Sequence, residues 1–386
     1  MQNKNLVYFP NLDGIRFIAA SLVCIHHIEQ FKSIFGIESS WNNHLIRSFG
    51  KLGVILFFVL SGFLITYLLF LEESHSPTKK IDIKKFYFRR ILRIWPLYFL
   101  IVFCALFVLP KSIYFNLPII MNFDIASNVW LLLLLFIFFL PNLVLICFGS
   151  IPFASQTWSI GAEEQFYIFW PILIKYIKNK LFSIVSVFII YILIQYFLIY
   201  NTLNYRNKNL LIKIWESIPF HFMAIGAFFA YIAFYNTINC FKIKKFFYSK
   251  IVQVVTFLLI FILLSFQISI RYLNLEVYAF LFAIIIFNAA TNNNDNIFKL
   301  HNLYIRYLGR ISYGLYMYHS ICIVFVINIF NKYHIPYNNF YIYFISFLTT
   351  ILLATISYYT FEKYFFKLKF KYVNVKSAHL QLPNET

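Results

Sequence analysis

The polar residues of this chain fall in clusters, and the runs between them are apolar and about the length of one bilayer crossing, roughly 20 residues. These runs cover residues 12–32, 51–71, 91–110, 127–148, 164–177, 181–200, 214–235, 251–270, 275–291, 311–331 and 340–361. Each predicts a helix, since a segment in lipid has to satisfy its own backbone. Charge placement then chooses between eleven crossings and ten. With the N-terminus inside and the 127–148 run dipping in and returning, the cytoplasmic segments hold 23 Lys and Arg against nine in the outer loops. If that run crosses fully, 13 lie inside and 19 outside. Basic residues favour the cytoplasmic side. The expectation is therefore an all-α integral membrane bundle of ten transmembrane helices with both termini cytoplasmic. Residues 127–148, interrupted by Pro141 and Asn142, form a re-entrant or interfacial segment. Residues 1–365 make one membrane-embedded domain, and 366–386 a cytoplasmic C-terminal tail.

Composition agrees. Hydrophobic residues make up 61% of the 386, and charged residues only 12%, against about 25% in soluble proteins. Mean hydropathy is +0.73. A soluble domain cannot hide that much apolar surface, and disordered, collagen-like and disulfide-stapled classes are excluded. The net charge of +19 is that of basic cytoplasmic loops, so the lipid bilayer is an expected partner and nucleic acid is not. Cys24, Cys104, Cys147, Cys240 and Cys322 show no metal-ligand or disulfide spacing, and no metal is expected. A cleavable signal peptide is not expected either, because the first apolar run carries Arg16, His26 and His27.

Ionisable groups inside a span cost about 2.5–3.5 kcal/mol each on insertion scales, so those present ask for a reason. Arg16 and His27 are eleven residues apart, which puts them on one helix face separated by roughly 16 Å of rise. One face thus carries a cation toward the cytoplasm and an imidazole toward the outside; the plainer alternative is two interface residues. Gly53, Ser61 and Gly62 interrupt the bulky second run, most simply for close helix packing. Arg90 and Arg93 lie at i and i+3 at the start of the third. Cations there oppose the helix dipole, and a phosphorylated ligand suits their guanidinium forks. In QTWSIGAEEQFY, Trp158 and Ser159 precede Glu163 and Glu164, with Ser159 a candidate helix cap. Tyr313, Tyr316 and His319 form a stripe that an aromatic belt would explain in the cytoplasmic half.

The segments LDGIRFIAA with its Arg-x10-His spacing, FFVLSGFLIT, FRRILRIWP, TWSIGAEEQFY and ISYGLYMYH, in this order over about 10–365, resemble the acyltransferase 3 family of membrane O-acyltransferases. The stretch GVILFF departs from it, with Ile55 and Leu56 where many members carry an Asp. No fused hydrolase-type domain follows the last span, which implies a single-domain or two-protein system. The resemblance implies ten spans and a bacterial inner-membrane location. It implies acyl-CoA, most simply acetyl-CoA, as donor, and a hydroxyl of a cell-envelope carbohydrate or glycolipid as acceptor. On that reading Arg90 and Arg93 bind the coenzyme A phosphates, and His27 is general base or acyl carrier. Arg16 and Glu163 assist as catalytic residues: Arg16, Ser61 or Trp158 donates to the oxyanion, and Glu163 orients an imidazole or the acceptor. Trp158, Ser159, Ser61, Tyr316 and His319 line the substrate path. A cavity has to join Arg16 and His27 to Arg90 and Arg93. The rival class is a multi-pass transporter or flippase, in which the same groups form an ion path.

Overall fold

Inside the apolar runs the backbone closes its own hydrogen bonds as helix. The computed structural model describes residues 8–118, 125–200, 208–268, 273–292 and 295–369, and no strand occurs among them. Its helices are α1 (Pro10–Ile34), α2 (His44–His75), α3 (Ile83–Phe103), α4 (Ile125–Ile137), α5 (Pro141–Cys147), α6 (Trp158–Tyr176), α7 (Lys180–Tyr200) and α8 (Lys208–Glu216). They continue as α9 (Phe220–Phe234), α10 (Ile238–Tyr248), α11 (Lys250–Ser265), α12 (Asn274–Thr291), α13 (Leu303–Arg310), α14 (Ser312–Lys332), α15 (Asn339–Ser357) and α16 (Lys363–Lys369).

Among the described residues, seven helical segments are long and apolar enough to cross a membrane, or eight if α10 and α11, bent by 62°, form one span. This is a multi-pass membrane protein. Two runs expected to span are absent from that apolar set. They are α1 and α6, which carry Asp13, Arg16, Glu29 and Lys32, and Glu163, Glu164 and Lys175. Residues 1–7 and 370–386, on which the expected side of the termini and most of the tail rest, lie outside the described residues, as do Arg206 and Arg271. The boundary at 365/366 falls inside α16.

The 127–148 run is not one helix. α4 ends at Ile137, Phe139 takes a positive φ of 55°, and α5 starts at Pro141. Positive φ is uncommon for a bulky residue. Here the Phe139 carbonyl accepts from Gln165 Nε2 at 2.9 Å, and its ring stacks on Tyr98 with centroids 4.7 Å apart.

Helix α2 serves as a ruler for depth. Its 32 residues span roughly 48 Å, more than the hydrocarbon thickness of about 30 Å. At one end Gly50 packs on the His26 ring; at the other Glu72 holds Arg89 at 2.5 Å. α6 begins half-way along it, with the Trp158 ring 6.0 Å from that of Phe58. α9 begins at the same level, where Gly62 meets the Met223 backbone and Gly226 the Val59 carbonyl. A Cβ at either glycine would overlap backbone, so only glycine lets these two helices touch.

Both half-depth starts follow a break in the chain, and broken helices leave unpaired backbone groups. One amide cluster supplies partners. Asn142 Nδ2 donates to the Ser217 carbonyl at 3.3 Å and hydroxyl at 3.2 Å, and Gln165 Nε2 donates to Asn142 Oδ1 at 3.1 Å. The sequence showed one broken run; the breaks at 217–219 and at Ser249 were not apparent in it.

Lys32, the last residue of the first apolar run, lies inside α1 and is 1% exposed, beside Glu29 at 2%. Its ammonium donates to Glu29 Oε1 at 2.7 Å and Asn339 Oδ1 at 2.6 Å. Glu29 also accepts from the Tyr343 hydroxyl at 2.8 Å and from the Ser40 amide. The pair ties α1 to the following loop and to α15. Removing one partner of such a pair strands the other charge, at about 3–5 kcal/mol. Glu29→Leu is expected to lower the unfolding midpoint in detergent by that order, and Glu29→Leu with Lys32→Met to recover most of it.

Candidate active site

α1 enters the bundle with Asp13 in its first turn, fully buried. A buried carboxylate needs donors. Arg16 Nη1 donates to Asp13 Oδ1 at 2.7 Å, and the Tyr8 hydroxyl to Oδ2 at 2.9 Å. Burial, with the Asp13 carboxylate beside it, raises the Tyr8 phenol above its ordinary value, so Tyr8 keeps its proton as the donor. Arg306 Nε donates to the Tyr8 oxygen in turn at 2.9 Å. Arg16 is thereby neutralised and oriented, with most of its five N–H donors left over.

Arg16 borders a cavity of about 180 Å³. The lining residues of α2 run from Val54 to Glu72, about 27 Å along the helix. α3 contributes Phe86, Arg89, Arg90, Arg93 and Ile94; α6 contributes Ser159, Ile160, Glu163 and Tyr167; α14 contributes Ser312, Tyr313 and Tyr316. One end is cationic and the other, at Val54, Phe57, Phe58 and Ile160, is apolar.

The three arginines of α3 differ. Arg89 is paired with Glu72. Arg90 lies over the Phe86 and Tyr167 rings, 5.6 Å from each centroid, a cation–π placement. Among the described residues neither Arg90 nor Arg93 makes a hydrogen bond or an ion pair, and both line the cavity. Opposite them Glu163 accepts from the Tyr167 hydroxyl at 2.9 Å, and that hydroxyl also meets Ser61 Oγ. Glu164 turns away and accepts from Trp95 Nε1 at 3.0 Å.

Ser159 does not cap α6. It lies one residue inside the helix, where Thr157 is the cap residue and makes no side-chain cap bond. Its Oγ is 2.7 Å from the Tyr316 hydroxyl, which donates to the Gln156 carbonyl at 2.8 Å. Nor is the Tyr313–Tyr316–His319 stripe an aromatic belt in one half of the bundle. Tyr313 donates to the Ile94 carbonyl at 2.8 Å, Tyr316 seals the apolar end of the cavity against Phe57 with ring centroids 5.8 Å apart, and His319 packs on His27.

Of the residues singled out from sequence, Arg16, Ser61, Arg90, Arg93, Ser159, Glu163, Tyr313 and Tyr316 share the cavity. His27, His319 and Trp158 are not among its lining residues. Trp158 packs on Phe58 behind the wall, and the histidines lie one side-chain layer beyond Tyr316. The cavity thus joins Arg16, but not His27, to Arg90 and Arg93. The imidazole of His27 is oriented by His319 Nε2 at 3.3 Å and the Val23 carbonyl at 2.9 Å, and not by Glu163. Asp13, Tyr8 and Tyr167 were missed in the sequence, although Asp13 stands three residues before Arg16, the spacing of a helical ion pair.

A membrane cavity with a cationic end, an apolar end and an imidazole pair beyond it is the setting of an acyl-transfer domain. The acyltransferase 3 profile (Acyl_transf_3, an acyltransferase domain) matches residues 9–359, and the chain belongs to that family. Among curated relatives, O-acetyltransferase OatA of Staphylococcus aureus is 27% identical over 372 residues, 91% of this chain and 56% of the relative. Peptidoglycan O-acetyltransferase OatA of Listeria monocytogenes is 30% identical over 186 residues, 45% of this chain and 26% of the relative. The first of these shows the coverage typical here: the chain spans about half the length of the curated relatives it matches. No solved structure matches it.

The Tyr316 hydroxyl pins the buried turn at Gln156. Tyr316→Phe removes that donor, and a buried carbonyl left short of partners costs about 1–3 kcal/mol. Faster amide exchange over residues 149–157 is the expected result.

Proposed function

We propose that the chain moves an acyl group, most simply acetyl, from cytoplasmic acyl-CoA to a hydroxyl of a cell-envelope glycan. The observation that carries this is the pair Arg90 and Arg93, two guanidiniums that line one cavity across from Glu163 and make no ion pair among the described residues. Phosphate oxygens suit such forks, and coenzyme A is a polyanion with a long neutral arm. The arm would follow α2 from the cationic end to the apolar end, where Val54, Phe57 and Ile160 suit a short uncharged acyl group better than succinyl. The name of the Listeria monocytogenes relative favours peptidoglycan as acceptor.

In this reading ten helices span the bacterial cytoplasmic membrane with both termini inside. α1 and α6 complete the apolar set because their charges are paired or face the cavity. The acceptor reaches His27 from the outer side, and Tyr316 and Phe57 part to let the thioester meet it. His27 takes the proton of the acceptor hydroxyl, whose oxygen bonds to the thioester carbonyl carbon. Arg16, roughly 16 Å of helix from His27, stands with Arg90 and Arg93 on the cavity and helps to hold the donor's anionic end. Collapse breaks the C–S bond, and the leaving thiolate takes the proton from the imidazolium.

The test is release of coenzyme A and transfer of labelled acetyl to a glycan fragment by the protein in nanodiscs. Loss of a charged hydrogen bond is worth about 1.5–3 kcal/mol, so Arg90→Gln and Arg93→Gln are each expected to raise the KM for acetyl-CoA about 10-fold to 100-fold with kcat little changed. His27→Ala is expected to abolish transfer while acetyl-CoA still binds. Transfer surviving in His27→Ala would remove that residue from the mechanism, and transport without thioester cleavage would favour a carrier.

A further inference from the structure

His27 and His319 face each other across α1 and α14, and their other partners decide where the protons sit. His319 is fully buried. Its Nδ1 lies 2.5 Å from the Tyr316 carbonyl oxygen. A carbonyl only accepts, so this nitrogen carries a hydrogen, and the Nε2 of a neutral ring is left bare. That bare nitrogen faces His27 Nδ1 at 3.3 Å, and the same Nδ1 faces the Val23 carbonyl at 2.9 Å. With an acceptor on each side, His27 Nδ1 has to be the protonated nitrogen. Its Nε2 makes no hydrogen bond among the described residues.

Resting on the acyl-transfer reading, we infer that His319 is a positioning residue. It holds His27 in the Nδ1–H tautomer, so that Nε2 is the nitrogen that takes the acceptor's proton. The Val23 carbonyl alone does not fix the ring, because it belongs to the same helix and is already engaged by the backbone of α1. The lateral bond from α14 sets the ring plane. When His27 gains its proton, Nδ1–H still has two acceptors and Nε2–H is the acid that protonates the leaving thiolate. The arrangement follows the general logic of a base held in one tautomer by a third group.

The other ionisable groups nearby do not compete for Nδ1. The His26 ring, 4.9 Å from that of His27, has its own Nδ1 3.2 Å from the Ile46 carbonyl and packs on Trp41. Arg47 lies over the far side of Trp41, Lys51 is exposed on α2, and the Tyr316 hydroxyl is engaged with Ser159 and Gln156.

Two measurements test this. The first is the ¹⁵N spectrum of histidine-labelled wild-type protein in nanodiscs, with His27 assigned from His27→Gln. An Nδ1–H tautomer is expected, and an Nε2–H tautomer overturns the inference. The second compares His319→Gln, whose amide oxygen can still accept, with His319→Leu, which cannot. Removing an orienting partner from an imidazole that binds a metal costs about 10-fold to 100-fold. A kcat loss of that order is expected in the Leu variant, with the KM for acetyl-CoA unchanged and kcat partly restored in Gln. Unchanged kcat in Leu, or equal losses in both, overturns it. Should wild-type protein transfer no acetyl group, the acyl-transfer reading fails, while the spectrum still decides the tautomer.

Discussion

A cation held among apolar helices needs an anion within reach, and this requirement sorts the basic residues of the chain. Lys32 has Glu29, Arg16 has Asp13 and Arg89 has Glu72. Each pair is placed where it also joins segments: Glu29 fastens α1 to the following loop and α15, and Asp13 gathers Tyr8 and, through it, Arg306. Arg90 and Arg93 are the exception. Arg90 has two aromatic faces, and among the described residues neither arginine has a carboxylate in ion-pair contact. Lys32, Arg16 and Arg89 are paired, while these two guanidiniums face one space, the contrast on which the proposed donor site rests.

The cavity owes its shape to interrupted helices. Had 127–148 and 208–234 been continuous spans, α6 and α9 would present side chains along the whole of α2. The two helices instead start half-way, and the room beside the upper part of α2 is filled by turns whose carbonyls are held by Asn142, Gln165, Ser159 and Tyr316. Non-helical backbone at that depth is tolerated where protein encloses it, and here the enclosing groups include the cavity wall. Ser159 and Tyr316 thus serve the fold and the site with the same hydroxyls.

Hydropathy was enough to find the seven or eight apolar spans among the described residues, because apolar length is a one-dimensional property. The chemistry was legible where charge interrupted an apolar run: Arg16, Arg90, Arg93 and Glu163 could be picked for standing in the wrong solvent. What one dimension hides is who meets whom. His319 read as part of a stripe, since its partner lies 292 residues away; Ser159 read as a helix cap because the true start of α6 depends on a turn at Gln156. The break at 217–219 was invisible because Ser217 and Pro219 look like ordinary interruptions at a span's edge, and only the Asn142 contact gives them depth. Asp13 and Lys32 were legible and overlooked: each stands three residues from an opposite charge.

The glycine contact between α2 and α9 carries a further consequence for how such a protein diversifies. With Gly62 and Gly226 against opposing main chain, the seam between α2 and α9 is rigid masonry, intolerant of even one added methyl, and it fixes the helix whose other residues line the chamber. Descendants with a wider chamber must therefore carve the extra space from side chains of α2, α3, α6 or α14 that face it, and not by moving α2 against α9. Change in the shape of the chamber would leave its trace on those facing positions and spare the glycines.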